Sequence, residues 1–228
     1  MINHKRILGV IPARGGSKGV PRKNVREVRG RPLIAWTVDA AQKSRLIDRS
    51  ILTSEDPEII ETALRLGLDV PFVRPIELAS DETPVSEAVL HAIETVSGYD
   101  YVAVLQVTTP LRLSQDIDGC IEKCVLNCAE SCVSVVQVEQ NPYWMCKIDD
   151  RGYLMPFQKS IYNDKRRQDI PDLFIPNGAV YVVDCAFLIK NRTLISDKTL
   201  GYKMEKERSL DIDTELDFML FELLLNGY

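Results

Sequence analysis

The chain has 228 residues, 45% of them hydrophobic and 27% charged, the make-up of an ordinary globular protein with one domain and a proper core. Its net charge of −5 argues against a general nucleic-acid binder, and no apolar run approaches the ~18 residues of a membrane span. Six cysteines without a recognisable secretory leader lead us to expect reduced thiols in a cytoplasm.

Along the chain, apolar runs of strand length alternate with amphipathic segments of helix length. Strands are predicted at residues 7–12, 50–53, 70–73, 101–106, 132–138 and 179–183. Between them, PLIAWTVDAAQKS, DPEIIETALRLG, PVSEAVLHAIETV and SQDIDGCIEKCVLN have the spacing of helices. Near-continuously apolar strands separated by helices imply an α/β fold, a mostly parallel sheet covered on both faces. Residues 139–176 interrupt this rhythm and are expected to form a β-containing insertion. DIDTELDFMLFELLLN then reads as a short strand entering a last helix.

Charge is distributed unevenly. Residues 5–31 hold nine Lys or Arg against Glu27 alone, a local +8, so the rest of the chain carries −13. The centre of this basic region is IPARGGSKGVPRKN, residues 11–24, placed directly after the first predicted strand. A strand, a glycine-rich turn and a following helix present backbone N–H groups to phosphate. Gly15, Gly16 and Gly19 are expected to supply positive φ and close approach, and Arg14, Lys18, Arg22 and Lys23 the charge. The spacing is neither that of a P-loop nor that of the dinucleotide fingerprint G-x-G-x-x-G.

An acidic counterpart lies near the C-terminus, in SLDIDTELD. On a strand, Asp211 and Asp213 would face the same side, and two convergent carboxylates suit Mg²⁺. Asp213 or Thr214 could equally N-cap the last helix, with Thr214 and Asp217 paired as a capping box. Residue types alone leave both readings open.

IPARGGSKGVPRKN, RPIELASDETP, LQVTTPLR, IPNGAVYV and SLDIDTELD, in this order, resemble the motifs of the cytidylyltransferases that make CMP-sialic acid and related CMP-sugars. The resemblance spans nearly the whole chain. It implies a Rossmann-like fold with a small dimerisation arm, and a reaction joining CTP to a nine-carbon 2-keto sugar acid with release of pyrophosphate. It places Ala13, Arg14, Gly15, Lys23, Asn24, Arg74, Thr83 and Val85 at the nucleotide, Val85 through its backbone. Gln106, Arg167 and Asn177 would meet the sugar, while Asp211 and Asp213 would hold Mg²⁺ or Mn²⁺. Arg14, Lys23, Arg167 and Asp211 would be catalytic, Asp211 helping to deprotonate the attacking hydroxyl directly or through metal-bound water. No nucleic-acid or membrane partner is implied. Exposed-looking aromatics at 139–176 (Tyr143, Trp144, Phe157, Tyr162) fit a homodimer interface. Ile175, where several relatives have a polar or basic residue, and the aromatics of PYWMC leave the acceptor open among sialic, legionaminic and pseudaminic acids, with the eight-carbon KDO further off. A nucleotide-binding module without catalysis is the alternative of a different class.

Other constellations lack support. Cys120, Cys124, Cys128 and Cys132 resemble a metal ladder, but steps of four on a helix advance the face by ~40° each, so they are expected as small buried side chains. His91 is expected to pack on its helix and His4 to lie at the surface. With two histidines and no G-x-S-x-G, a Ser-His-Asp hydrolase has little support.

Overall fold

The structure is a computed structural model and describes residues 2–16 and 19–225. In chain order its elements are β1 Ile7–Pro12, β2 Glu27–Val28, β3 Arg31–Pro32, α1 Leu33–Gln42, β4 Arg49–Thr53, α2 Pro57–Arg65 and α3 Val85–Thr95. They continue with β5 Tyr101–Val104, α4 Ser114–Leu126, β6 Ser131–Gln137, β7 Cys146–Ile148 and β8 Leu154–Pro156. The last are β9 Phe174–Asp184, α5 Cys185–Asn191, β10 Leu200–Lys203 and α6 Glu215–Leu224.

Six strands form the central sheet in the order β10-β6-β9-β5-β1-β4. Only β9 is reversed, pairing antiparallel with both β5 and β6. The period-two alternation of the strands feeds two cores. Ile7 and Ile11 of β1 join Leu33, Ile34, Ile59, Ile117, Ile121 and Phe221 on one face, from α1, α2, α4 and α6. Leu8 and Val10 join Val89, Ile93 and Leu188 on the other, from α3 and α5. Both faces are therefore covered, which is why the strands read as unbroken apolar runs.

Local chemistry sets the helix starts. Asp56 caps α2, its side chain accepting from the N–H groups of Glu58 and Ile59, with Pro57 in the first turn. Thr214 and Asp217 form the reciprocal capping box of α6.

Two expected strands are absent. Residues 70–73 form no strand, and the pairing beside β4 is an isolated bridge of the preceding Asp69 with Ile51. Pro71, inside this stretch, and Pro75, just beyond it, have no N–H to give a ladder. The stretch before α6 is also irregular, because Ile212 is fixed to the Thr108 carbonyl (2.8 Å) and not to a neighbouring strand.

The interrupted region contains the β7–β8 hairpin and three-residue 3₁₀ turns. Its final residues, Phe174–Pro176, belong to β9 and pair with Val135–Gln137. Gly178, at φ 76°, sits where the β6–β9 register shifts, so Asn177-Gly178 marks an irregularity inside a strand and not a hairpin turn.

Candidate active site

From β1 the chain moves to β4 on one side and later returns to β5 on the other. The loops leaving β1 and β5 therefore diverge, and a crevice opens at their C-terminal ends, the usual ligand position of such sheets. A cavity of about 410 Å³ occupies this place. Arg14, Lys23, Asn24, Arg74, Thr83, Val85, Gln106 and Asp213 all line it. These eight sequence-predicted residues come from five separate stretches of the chain, and the sheet brings them together.

The basic loop forms one wall. Gly15 and Gly16 do not adopt positive φ; the left-handed residue of the loop is Arg22 (φ 56°). Gly15 and Gly19 answer to space instead. A β-carbon on Gly15 would meet Asp56 Oδ2 at 2.4 Å, and one on Gly19 would meet the Asp213 carbonyl oxygen at 2.0 Å. Lys18 lies outside the described residues.

The described cations of the loop all have acidic partners. Arg14 pairs with Asp81 at 2.6 Å, both half exposed. Arg22 binds Asp56 and Glu58. Lys23, whose side chain is only 10% exposed, donates to the Ile212 carbonyl and pairs with Asp213 at 3.1 Å. Asn24 donates to the Arg14 carbonyl at 2.9 Å, fixing the loop's entry. Arg74 is buried and joins the Ala13 carbonyl (2.6 Å) to Glu55 (2.9 Å). Burial lowers the pKa of Arg74 from its ordinary value, with Glu55 opposing the shift. Ala13 and Gly15 thus stand behind the cavity wall, the N–H of Gly15 donating to Glu55 at 2.7 Å.

Glu55 was not legible as a site residue. It follows β4 directly and ties both the glycine loop and Arg74, so its signal was position: a carboxylate at the C-terminal end of a buried strand. Thr108 also escaped notice, although its carbonyl holds Ile212 between the two aspartates.

Asp211 and Asp213 flank the buried Ile212. They diverge in setting, although strand alternation would have made them equivalent. Asp213 is 74% exposed and faces Lys23. Asp211 keeps one side open to solvent, yet surrounding protein raises its carboxyl above the ordinary aspartate value, and repulsion from Asp213 adds to this. A hydrogen bond from Thr108 and the charge of Lys23 oppose the shift. The capping of α6 falls to Thr214 and Asp217, which leaves the Asp211 carboxylate outside the cap.

A shallower cavity of about 230 Å³ adjoins the first, sharing Val85 and Gln106 and adding Tyr181, Leu194 and Ile195. Gln106 stands on the divide. A β-carbon on Gly178 would lie 3.4 Å from Gln106 Oε1 and 3.8 Å from Asp211 Oδ2, so the left-handed glycine is where these two side chains converge.

Two expected sugar residues lie elsewhere. Asn177 is buried, its amide accepting from Ser134 (2.6 Å) and donating to Ser209 (2.8 Å). Arg167 is exposed in a 3₁₀ turn beyond the β7–β8 hairpin and lines neither cavity.

Of the cysteine ladder, Cys120, Cys124 and Cys132 are buried and Cys128 is exposed. The thiols of Cys120 and Cys124 donate to backbone carbonyls. His91 packs edge-on against Phe72, ring centres 4.8 Å apart. Among the described residues no helix is long and apolar enough to cross a membrane.

Comparison with known proteins agrees with this geometry. The fold is shared with a solved CMP:2-keto-3-deoxy-manno-octonic acid synthetase complexed with CTP, which superposes with a TM-score of 0.74. At 14% identity it covers 97% of this chain and 99% of its own. Residues 8–171 match the family described as cytidylyltransferase, and the chain belongs to that family. It is 34% identical to an N-acylneuraminate cytidylyltransferase of Streptococcus agalactiae over 92% of this chain, spanning about half (51%) of that relative. It is 32% identical to a CMP-N,N'-diacetyllegionaminic acid synthase of Legionella pneumophila, covering 96% of both chains. A pseudaminic acid cytidylyltransferase of Campylobacter jejuni is 30% identical, with 95% of both chains covered.

Proposed function

We propose that this protein transfers the cytidylyl group of CTP to the anomeric hydroxyl of a nonulosonic acid, releasing pyrophosphate. The observation that carries the reading is the convergence of Arg14, Lys23 and Arg74 with Asp213 in the crevice between β1 and β5, beside Gln106 and Asp211. A triphosphate offers the loop cations a better partner than their present carboxylates, since a half-exposed pair such as Arg14–Asp81 holds only weakly. Leu78, Thr83 and Val85 line the crevice with Arg74, a setting suited to the nucleoside. The adjoining cavity beyond Gln106 is suited to the acceptor.

In this mechanism Gln106 orients the sugar acid, and Asp211 takes the proton of the attacking hydroxyl. The hydroxyl attacks the α-phosphorus in line with the leaving pyrophosphate, while Arg14 and Lys23 neutralise charge that builds on the phosphate oxygens. Asp211 and Asp213 are hard oxygen donors on one short segment and fit Mg²⁺ or Mn²⁺. No group of three or more metal-binding side chains occurs among the described residues, which suits an ion that takes its remaining ligands from water and phosphate. When bound, such an ion neutralises phosphate charge. Exposed Arg167 is assigned to the acceptor in the neighbouring subunit of a homodimer built on residues 139–176. We assign the enzyme to the cytoplasm, a reading supported by the free cysteines among the described residues.

Pyrophosphate release from CTP, measured against sialic, legionaminic and pseudaminic acids and KDO, tests the reading. Turnover with a nine-carbon acid is expected, whereas none with any acceptor would leave a nucleotide-binding module.

A further inference from the structure

We propose that the ion pair between Asp116 and Arg208 is a positioning device that sets the two carboxylates of the site; the role rests on the metal reading given above. Asp116 lies in the first turn of α4, just after the loop that carries Gln106 and Thr108, and is 2% exposed. Arg208 meets it with both arms of the guanidinium: Nε to Oδ2 at 3.0 Å and Nη2 to Oδ1 at 3.0 Å. The N–H of Leu113 also donates to Asp116, at 2.9 Å, so the acceptor of the pair is itself fixed to the loop.

Arg208 is three residues before Asp211, and the chain around them is held at several points. The N–H of Met204 donates to the Val135 carbonyl at 2.8 Å. Ser209 receives Asn177 Nδ2 at 2.8 Å and donates to the Glu205 carbonyl at 2.8 Å. Beyond Asp211, Ile212 is held by Thr108. This segment has no ladder of its own, so side chains supply the constraint that a sheet would give. Arg208 is the anchor that ties it to the loop on the acceptor side.

The physics of buried ion pairs favours placement over stability. Asp116 is buried and the Arg208 side chain is 31% exposed, so desolvation of the carboxylate offsets part of the attraction and the pair adds little net stability. Its planar fork does fix direction, which a lysine cannot reproduce. Asp116 acts only through the backbone that links Arg208 to Asp211, and it touches no reacting atom.

The test uses Arg208→Lys, which keeps a cation beside Asp116, and Arg208→Met, which does not. Amide exchange of metal-free protein should run about tenfold faster at residues 204–213 in Arg208→Lys, and faster still in Arg208→Met, with β1 and β5 unchanged. The Mg²⁺ concentration for half-maximal pyrophosphate release should rise about tenfold in Arg208→Lys, and KM for CTP should stay near wild type. Unchanged exchange in both variants would overturn the proposal, as would faster exchange with unchanged Mg²⁺ dependence. An Asp211→Asn protein in the same titration separates the two levels. If it keeps wild-type turnover and Mg²⁺ dependence, the two-carboxylate metal site fails, and this role for the pair with it. If it loses activity while Arg208→Lys titrates like wild type, only the positioning role fails.

Discussion

A β-carbon at Gly19 would lie 2.0 Å from the carbonyl oxygen of Asp213, so the basic loop and the acidic segment touch with no room for a methyl group between them. That contact is what puts the Lys23 ammonium against both Asp213 and the Ile212 carbonyl. Lys23 is therefore held in place before any nucleotide arrives, while Arg14 is anchored only to surface-exposed Asp81 and to the Ala79 carbonyl. Both positive charges are aimed at phosphate, and both stabilise charge that grows in the transition state. Arg14→Ala and Lys23→Ala are expected to lower kcat more than they raise KM for CTP, each by on the order of 3 kcal/mol in activation free energy. Steady-state kinetics check this; a raised KM at unchanged kcat would assign the side chain to uniform binding instead.

At the scale of elements, the start of α2 does two jobs. Asp56 caps the helix through the N–H groups of Glu58 and Ile59 and also holds Arg22 in its left-handed conformation. The Arg22 guanidinium is the main cause that keeps the Asp56 carboxyl below the ordinary aspartate value, with the two helix N–H groups assisting against partial burial. A carboxyl depressed on folding contributes stability above its unfolded pKa and loses it as pH falls through the folded one. Asp56→Ala is expected to cost about 1–2 kcal/mol at neutral pH, the worth of a good N-cap. The deficit should shrink as the pH drops below the ordinary aspartate range, where wild type also loses its charge. Urea melts across that range check the sign; a deficit that grew on acidification would contradict it. The expected strand at 70–73 belongs to this scale too, since Pro71 and Pro75 outweighed an apolar run that read well residue by residue.

For the whole molecule, the β7–β8 hairpin carries Ile148, Leu154 and Met155 on its strands and Phe157 just beyond, all more than half exposed. Trp144 is exposed nearby, whereas Tyr143 and Tyr162 are half-buried against each other at 5.0 Å. Apolar surface this concentrated is the kind that partners cover. We predict a homodimer closed over the hairpin, with Arg167 of one subunit serving the crevice of the other. Mixing Arg167→Ala with Asp211→Asn protein should restore activity in one of the two sites of each mixed dimer. No recovery after demonstrated subunit exchange would return Arg167 to its own chain's site, and sedimentation as a monomer would reject the dimer.

Periodicity determined the layered α/β architecture, because central strands such as β1 and β5 are buried on both faces; edge strand β10, without a buried residue, carried no such signal. The glycine loop with Arg14 and Lys23 was legible as a phosphate site, because it follows a strand directly; Arg74 and Gln106, which line the same crevice, were supplied by the family resemblance. Tertiary structure alone decided which partner each group meets. Glu55 joins the site through packing of β4 beside β1, a pairing 40 residues apart in sequence. Asp211 and Asp213 were read as equals from a two-residue alternation, but the segment is not a strand. The carbonyl of Thr108 and the anchors at Arg208 and Ser209 turn one carboxylate toward protein and leave the other in solvent. Such contacts join residues far apart along the chain, and no local pattern encodes them.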